Sequence, residues 1–281
     1  MKNLIRLERN NFDNLKIIYN EFAKTKFGKD LKKEVRYERF KPKSVSKKLW
    51  QEVLGPDVNN LEHHLVSYKI TNTFFVCNDE KISGSSIFNY HEKKLLIVAA
   101  LIHDWGEAIV GDVTFDRKSA AYEKKEYEAF QCMLKKIFFR DADVVEFLDI
   151  EEAFEKVVGG KEKNLAEAFN AIERIGYLIT GVRAWKKGKL FLRKDAKFSQ
   201  GLWWLANNVA LNQIKKLIEY SEIYPAVRFY LDENRKWIDE IFAKMPDEIF
   251  SKYEGKESIE RKIQFDEAKK NWLASKDKID Y

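Results

Sequence analysis

Apolar residues recur at three- and four-residue spacing along most of this chain. In the segment from about 11 to 24, for example, Leu15, Ile18 and Phe22 lie on one stripe. Such spacing is typical of an amphipathic helix, whereas the alternation expected of a half-buried strand is nearly absent. The sequence therefore predicts an all-α protein. Further helices are predicted over about 60–76, 95–103, 118–137, 144–157, 164–180, 201–220 and 226–243.

Polar and conformationally restricted residues mark the predicted boundaries between these helices. Pro225 lies where it can begin a helix, because proline is well accommodated in a first helical turn. Asn59 or Asn60 is placed to cap the helix that carries His63. The basic segment 186–197 is expected to be a loop between two helices.

Composition and charge indicate an ordinary globular chain. With 281 residues and 45% apolar content, it can form one large domain or two small ones. Charged residues make up 34% of the chain, but the positive and negative charges nearly balance. The formal net charge of +6 is too small to imply a nucleic-acid partner, and none is expected. Cys77 and Cys132 form neither a disulfide framework nor a metal-binding pair. The chain shows no signal peptide and no apolar stretch that could span a bilayer, so we expect a cytoplasmic protein without a membrane partner.

The most informative feature is the pair His103-Asp104, which closes the apolar run 95–102. Imidazole and carboxylate groups both bind metals, and a pair at the end of a buried segment can hold a cation at the mouth of a cleft. A common alternative is that the aspartate only determines the tautomer of the histidine near a helix end. The spacing of the following acids, Glu107 and Asp112, favours the metal site.

The candidate ligands come from separate predicted helices. His63 precedes His103 by 40 residues, and a further ligand is expected on the helix over 164–180. Two imidazoles with one or two oxygen ligands suit Mn, Co, Fe, Ni or Zn better than calcium or magnesium. An ion of this kind activates water and polarises a phosphoryl group. The set therefore predicts a metal-dependent hydrolase.

Two carboxylates after the pair are candidates for catalytic roles. Glu107 follows Asp104 by three residues, so on a helix it lies on the same face. It is placed to take or deliver a proton through water. Asp112 is placed to orient Glu107 or to accept a hydrogen bond from a sugar hydroxyl.

Three stretches of the chain carry a resemblance to a known family. They are Asn59–His63, the run AALIHDWGEAIVGDV of 99–113, and Lys118 with the later Glu126–Phe130. They resemble motifs of the HD-domain metal-dependent phosphohydrolases, and most closely those of the bacterial 5′-deoxynucleotidases. The central run is the specific one, since its histidine and its acids keep the spacing of that family.

The resemblance implies a fold, an activity and roles for particular residues. It covers roughly 58–242 and implies a helical bundle around the metal, with an N-terminal helical and basic extension (1–57) and a charged, partly helical C-terminal tail (243–281). It implies hydrolysis of deoxyribonucleoside 5′-monophosphates to nucleoside and phosphate, with Glu107 and Asp112 acting in catalysis and nucleotide binding. Dimers are common in that family, so a homodimer is an assembly that the resemblance allows.

One departure from the family concerns its last metal ligand, an aspartate on a helix. The best alignment places Asn170 there, within 166–173. An amide oxygen can bind a metal but brings no charge, which lowers metal affinity and raises the pKa of bound water. The predicted metal ligands are His63, His103, Asp104 and Asn170.

Three explanations of Asn170 stay open: a natural variant that tolerates asparagine, a substitution introduced to trap substrate, or a protein that binds nucleotides without hydrolysing them. Glu167 or Glu173, one turn to either side, can also replace it as a ligand after a small helix rotation. The third explanation makes a catalytically weakened nucleotide-binding protein an alternative function.

Substrate contacts are assigned to Lys118 and Arg39, since the arginine–tryptophan element that the family carries upstream of its first histidine is not recognisable here. The basic segments 24–48 and 186–197 motivate a second alternative. In it, the same fold cleaves a nucleoside triphosphate, a cyclic dinucleotide or an alarmone, because extra phosphates require extra cations.

His64, Trp203 and Trp204 are expected to have structural roles. His64 points about 100° away from His63 on a helix. It is therefore expected to pack in the core or to contact the metal ligands without binding the metal. Trp203 and Trp204 can stack a base, but aromatic residues on an apolar helix more commonly pack in the core, and that is the prediction.

Overall fold

A computed structural model describes residues 12–81, 86–111, 119–138, 144–253 and 255–279. This part of the chain contains no strand and only one isolated antiparallel bridge, between Val35 and Asn59, which confirms the predicted all-α class. None of the described helices combines the length and the apolar character needed to cross a membrane. We number the helices α1 (Lys16–Lys24), α2 (Lys26–Leu31), α3 (Lys47–Leu54), α4 (Asn60–Lys81), α5 (Tyr90–Ile102), α6 (Glu107–Val110), α7 (Ala120–Phe138), α8 (Val144–Ala153), α9 (Lys163–Phe191), α10 (Ala196–Ser221), α11 (Pro225–Glu233), α12 (Arg235–Lys244) and α13 (Lys256–Ser275).

The largest difference from the predicted helices concerns the end of α9. This helix continues to Phe191, so the prediction that 186–197 forms a loop is wrong. Lysine is a good helix former, and the basic run is the solvated end of a helix. The next helix begins after Asp195, whose side chain caps it by accepting a hydrogen bond from the N–H of Phe198 at 2.9 Å.

The described chain divides into two compact units. The first comprises the described residues of Met1–Arg36 and Pro56–Ile172, and the second comprises those of Tyr37–Gly55 and Glu173–Tyr281. The second boundary falls inside the continuous helix α9. The predicted division after residues 57 and 242 stays a prediction.

In the first unit the core surrounds α5. Each residue of Leu95–Ile102 is at most 1% exposed. A helix that is apolar on all sides must be covered on all sides, and α4, α8 and the π-helical turn Phe154–Val158 pack against it. Asn89 and Glu92 form a capping box at its start. The C-terminal end of this buried helix carries His103 and Asp104.

In the second unit α10 is the central helix, and α11, α12 and α13 pack against it. Helix α13 lies within the predicted charged tail, so the expectation that the tail is partly helical is confirmed. It buries Phe265, Ala268 and Trp272. The indole N–H of Trp272 donates to Asp239 Oδ1 at 2.7 Å, and burial of a large ring with its polar atom satisfied is strongly stabilising.

Candidate metal centre

His63 is brought to the inside of the first unit by the first turn of α4. Asn59 caps this helix, because its Oδ1 accepts hydrogen bonds from the backbone N–H groups of Leu61 at 3.1 Å and Glu62 at 3.2 Å. One of the two predicted caps is therefore confirmed. His63 is 4% exposed.

His103 and Asp104 lie where the chain turns at the end of α5. The N–H of His103 still donates to the carbonyl of Ala99 at 3.0 Å, whereas the N–H of Glu107 donates to the carbonyl of Asp104 at 3.0 Å and begins α6. Both side chains of the pair remain buried, with 7% of His103 and 8% of Asp104 exposed. The turn thus presents an imidazole and a carboxylate side by side in the interior.

The three central residues of the predicted ligand set meet at one place. Asp104 Oδ2 lies 3.3 Å from His103 Nε2 and 4.0 Å from His63 Nε2. The rings of His63 and His103 meet edge to face, with 5.1 Å between their centroids. The structure therefore brings His63, His103 and Asp104 together as the sequence predicts.

His64 faces the same group from the neighbouring position of α4. The helical rotation separates its ring from that of His63 by 6.3 Å. Its ring nevertheless lies 5.1 Å from that of His103, so His103 approaches both rings equally closely. His64, His103 and Asp104 each offer a ligand atom within 4.8 Å of the others.

Arg36 contributes the positive charge beside the carboxylate, although the sequence did not identify it as a site residue. Its guanidinium donates from Nη1 to Asp104 Oδ2 at 3.3 Å, and both side chains are buried. The backbone N–H of Arg36 donates to the carbonyl of Val58 at 2.8 Å, and the preceding Val35 bridges to Asn59. This tertiary pairing positions Arg36, and no local sequence pattern reveals it.

Two of the donor groups, the Asp104 carboxyl and the His64 imidazole, have pKa values shifted by their surroundings. Burial alone raises the pKa of the Asp104 carboxyl, but the positive form of His103, its hydrogen bond, Arg36 and His63 together hold that pKa well below its usual range. Burial lowers the pKa of the His64 imidazole well below its usual value, and the neighbouring His103 lowers it further. An ionised carboxylate and a neutral imidazole are the forms that bind metals.

A group of three buried carboxylates adjoins the histidines. Asp104, Glu107 and Glu126 offer oxygen atoms within 4.8 Å of one another. Asn60 donates from Nδ2 to Glu107 Oε2 at 2.8 Å and so orients that carboxylate. Gly106 allows α7 to come this close, since a Cβ there would lie 2.5 Å from the carbonyl oxygen of Glu126. Glu126 belongs to a stretch that carries the resemblance, but no role was predicted for it.

The role of Asn170 as a metal ligand stays a prediction, and its exposure sets it apart from the other three predicted ligands. Asn170 is exposed, whereas the other predicted ligands are buried. The face of α9 that meets the histidines is marked by Phe169, whose ring lies 5.3 Å from that of His103. One residue later the helix has turned by about 100°, so Asn170 points elsewhere.

The remaining predicted site residues lie elsewhere. Asp112 and Lys118 fall outside the described residues, and their roles stay predictions. Arg39 belongs to the second unit, where its guanidinium lies 4.8 Å from the ring centroid of Phe40 and 5.8 Å from that of Trp204. Its contact with a phosphate also stays a prediction.

The adjacent tryptophans pack within the second unit, as predicted. Trp203 is 8% exposed, and its ring lies 5.6 Å from that of Trp185. Trp204 meets Phe40 edge to face at 5.0 Å and Tyr253 at 5.8 Å. These ring contacts account for both residues as packing.

Comparisons of the chain with models of protein families, with curated proteins and with solved structures gave no match. Inferences about function therefore depend on the arrangement of the buried side chains and on the resemblance of the motifs. The arrangement alone defines a buried, mixed nitrogen and oxygen donor set beside a group of carboxylates.

Proposed function

We propose that the protein is a metal-dependent phosphohydrolase that cleaves nucleoside 5′-monophosphates, in particular the deoxy forms, to nucleoside and phosphate. The observation that carries this proposal is that the buried Asp104 places its Oδ2 within 4.0 Å of Nε2 of both His63 and His103, which are also buried. A donor set of this kind fits a divalent Mn, Co, Fe, Ni or Zn ion. These three residues would hold the ion, and the buried lone pair of the His64 ring beside them is in keeping with a cation at this place.

When bound, such a cation supplies an activated water and neutralises charge on the phosphoryl group. Glu107 is the residue that moves the proton. Its carboxylate accepts a proton from the attacking water and delivers it to the O5′ oxygen of the leaving nucleoside. Asn60 holds the carboxylate in one orientation through its bond to Oε2 at 2.8 Å, and a general base must be held in this way to act efficiently.

Arg36 keeps Asp104 in position for its role. Its guanidinium lies 3.3 Å from Asp104 Oδ2 in the interior of the first unit. The charge–charge contact keeps the carboxylate ionised and limits its rotation. Arg36 is therefore a positioning residue for the proposed cation, and it acts through Asp104.

The two alternative functions are a catalytically weakened nucleotide-binding protein and a hydrolase of larger phosphoesters. The weakened nucleotide-binding protein was motivated by Asn170, which is exposed. This alternative stays open, and it predicts metal or nucleotide binding without hydrolysis. Hydrolysis of a triphosphate, a cyclic dinucleotide or an alarmone on the same fold is tested by the substrate panel described next.

The purified protein is expected to contain a first-row divalent metal and, with added Mn or Co, to release phosphate from deoxynucleoside 5′-monophosphates. Elemental analysis of the untreated protein identifies the ion, and a phosphate assay over mono- and triphosphates, cyclic dinucleotides and alarmones identifies the substrate. Chelator-treated protein is the control. Bound metal with no hydrolysis of any member of the panel contradicts the proposal, and hydrolysis of only the larger substrates favours the alternative.

A further inference from the structure

We infer that His64 is a further ligand of the proposed cation and binds it through Nε2. The inference rests on the metal site of the proposed function and adds a residue that the resemblance does not supply. Three observations carry it: the hydrogen bond at one ring nitrogen, the burial of the other nitrogen, and the position of the ring beside His103 and Asp104.

The hydrogen bond at Nδ1 determines the tautomer of the His64 ring. Nδ1 lies 3.2 Å from the backbone carbonyl oxygen of Leu61. A carbonyl oxygen can only accept, so Nδ1 carries the proton, and in the neutral ring the lone pair is on Nε2. Metal-binding histidines commonly show this arrangement, in which one nitrogen donates to a carbonyl or carboxylate and the other binds the ion.

The second nitrogen is buried and lacks a partner. Nε2 of His64 has no hydrogen-bond partner among the described residues, and the residue is 0% exposed. A buried acceptor without a donor is costly, so native structures usually provide a donor, an ordered water or an ion. The proton on Nδ1 leaves the lone pair of the ring on Nε2, and Nε2 can therefore act as a ligand atom.

The surroundings of this lone pair favour a cation over a water molecule. His64, His103 and Asp104 offer ligand atoms within 4.8 Å of one another, and the two rings stand at 82°. A second imidazole and a carboxylate therefore lie beside the ring of His64. A cation interacts favourably with all of these groups, whereas a water has only two protons to donate.

The addition of His64 changes the predicted metal preference. His63, His64 and His103 with Asp104 form a donor set in which nitrogen predominates. Imidazole ligands suit Co, Ni and Zn, whereas oxygen-rich sets suit Mn and Mg. We therefore expect the preference for Zn over Mn, which any nitrogen and oxygen site shows, to be larger when His64 is a ligand.

The number of imidazoles around the metal tests the inference directly. X-ray absorption spectroscopy of the full-length protein loaded with Zn or Co counts histidine ligands, because imidazole rings give characteristic multiple-scattering features. The expected number is three, from His63, His64 and His103. A count of two overturns the inference and leaves the proposed function intact, whereas a protein that binds no metal contradicts the proposed function as well.

His64→Asn separates binding from the structural role of the ring. The asparagine Nδ2 can retain the donor to the Leu61 carbonyl but has no nitrogen at the place of Nε2. We expect this variant to lose one imidazole from the spectrum and to bind Zn or Co at least about tenfold more weakly. The thermal unfolding of the metal-free variant shows whether the fold is retained.

His91→Asn is the control, because His91 is an exposed histidine paired with Glu152 at 3.0 Å. It should leave the imidazole count and the affinity unchanged. An unchanged count and affinity in His64→Asn overturns the inference. If that variant fails to fold, the count in the wild-type protein decides.

Discussion

Replacing Asp104 by asparagine is expected to abolish stoichiometric metal binding and, with it, hydrolysis. The carboxylate is the buried acid that lies within 4.0 Å of both His63 Nε2 and His103 Nε2. An amide of the same shape provides an oxygen but removes the negative charge that balances a divalent ion. Elemental analysis and the phosphate assay on one sample measure both losses.

The same change is expected to destabilise the metal-free protein by about 3 kcal/mol, because it leaves the buried guanidinium of Arg36 beside a neutral amide. Arg36 and Asp104 are 7% and 8% exposed, so water screens their contact little. Urea unfolding measures the effect. The double variant Arg36→Met with Asp104→Asn should recover much of the stability but no metal binding. Wild-type metal affinity in Asp104→Asn would contradict this account of the site.

The acid dependence of stability provides a related test. The pKa of Asp104 is depressed in the folded protein. Its stabilising contribution is therefore fully present above the ordinary value of 3.8 and is lost as the pH falls through the lower folded value. Between pH 5 and about pH 2, the free energy of unfolding of the metal-free protein should fall less for Asp104→Asn than for the wild type.

The helices were predictable where local physics determines them. The apolar run 95–102 has no polar side, and it forms the buried centre of the first unit. Asn59 precedes a helix and caps it. The run 186–197 was misjudged because lysine and arginine are compatible with both a loop and a solvated helix end. Burial of Trp185 on one side of α9 supplies the tertiary information that the charge pattern lacks.

The site was predictable only as far as its motif extends along the chain. His103, Asp104 and Glu107 are close in sequence, and their turn brings them together. Arg36 lies 68 residues from Asp104 and reaches it through backbone pairing with Val58. The rotation of a single helix predicts that His64 points away from His63, but the end of a second helix brings His103 equally close to both rings.

The position of the last ligand shows the limit of motif alignment. An alignment matches residue types and placed Asn170 opposite an aspartate. The helix itself presents the face that carries Phe169, and a shift of one residue turns a side chain by about 100°. The division into discontinuous units also could not be predicted from the sequence, since the segment 37–55 lies between two parts of the first unit in the chain but belongs to the second.

Replacing Glu107 by glutamine is expected to lower kcat by about 10²- to 10⁴-fold while metal remains bound, because the variant cannot accept a proton from the attacking water. The glutamine has nearly the same volume, and its side-chain oxygen can still accept the hydrogen bond from Asn60. Metal content and kcat are measured on the same sample. The acid limb of the pH profile of kcat should also disappear, since that limb reports protonation of the base.

Two controls separate proton transfer from positioning. Glu128→Gln changes an exposed acid on α7, two residues after Glu126, and should leave kcat unchanged. Asn60→Ala removes the 2.8 Å hydrogen bond that orients Glu107 but keeps its carboxylate. It should therefore lower kcat less than Glu107→Gln and retain the acid limb. If Glu107→Gln turns over at the wild-type rate, the proton passes through another group, and the buried carboxylate of Glu126 is the next candidate.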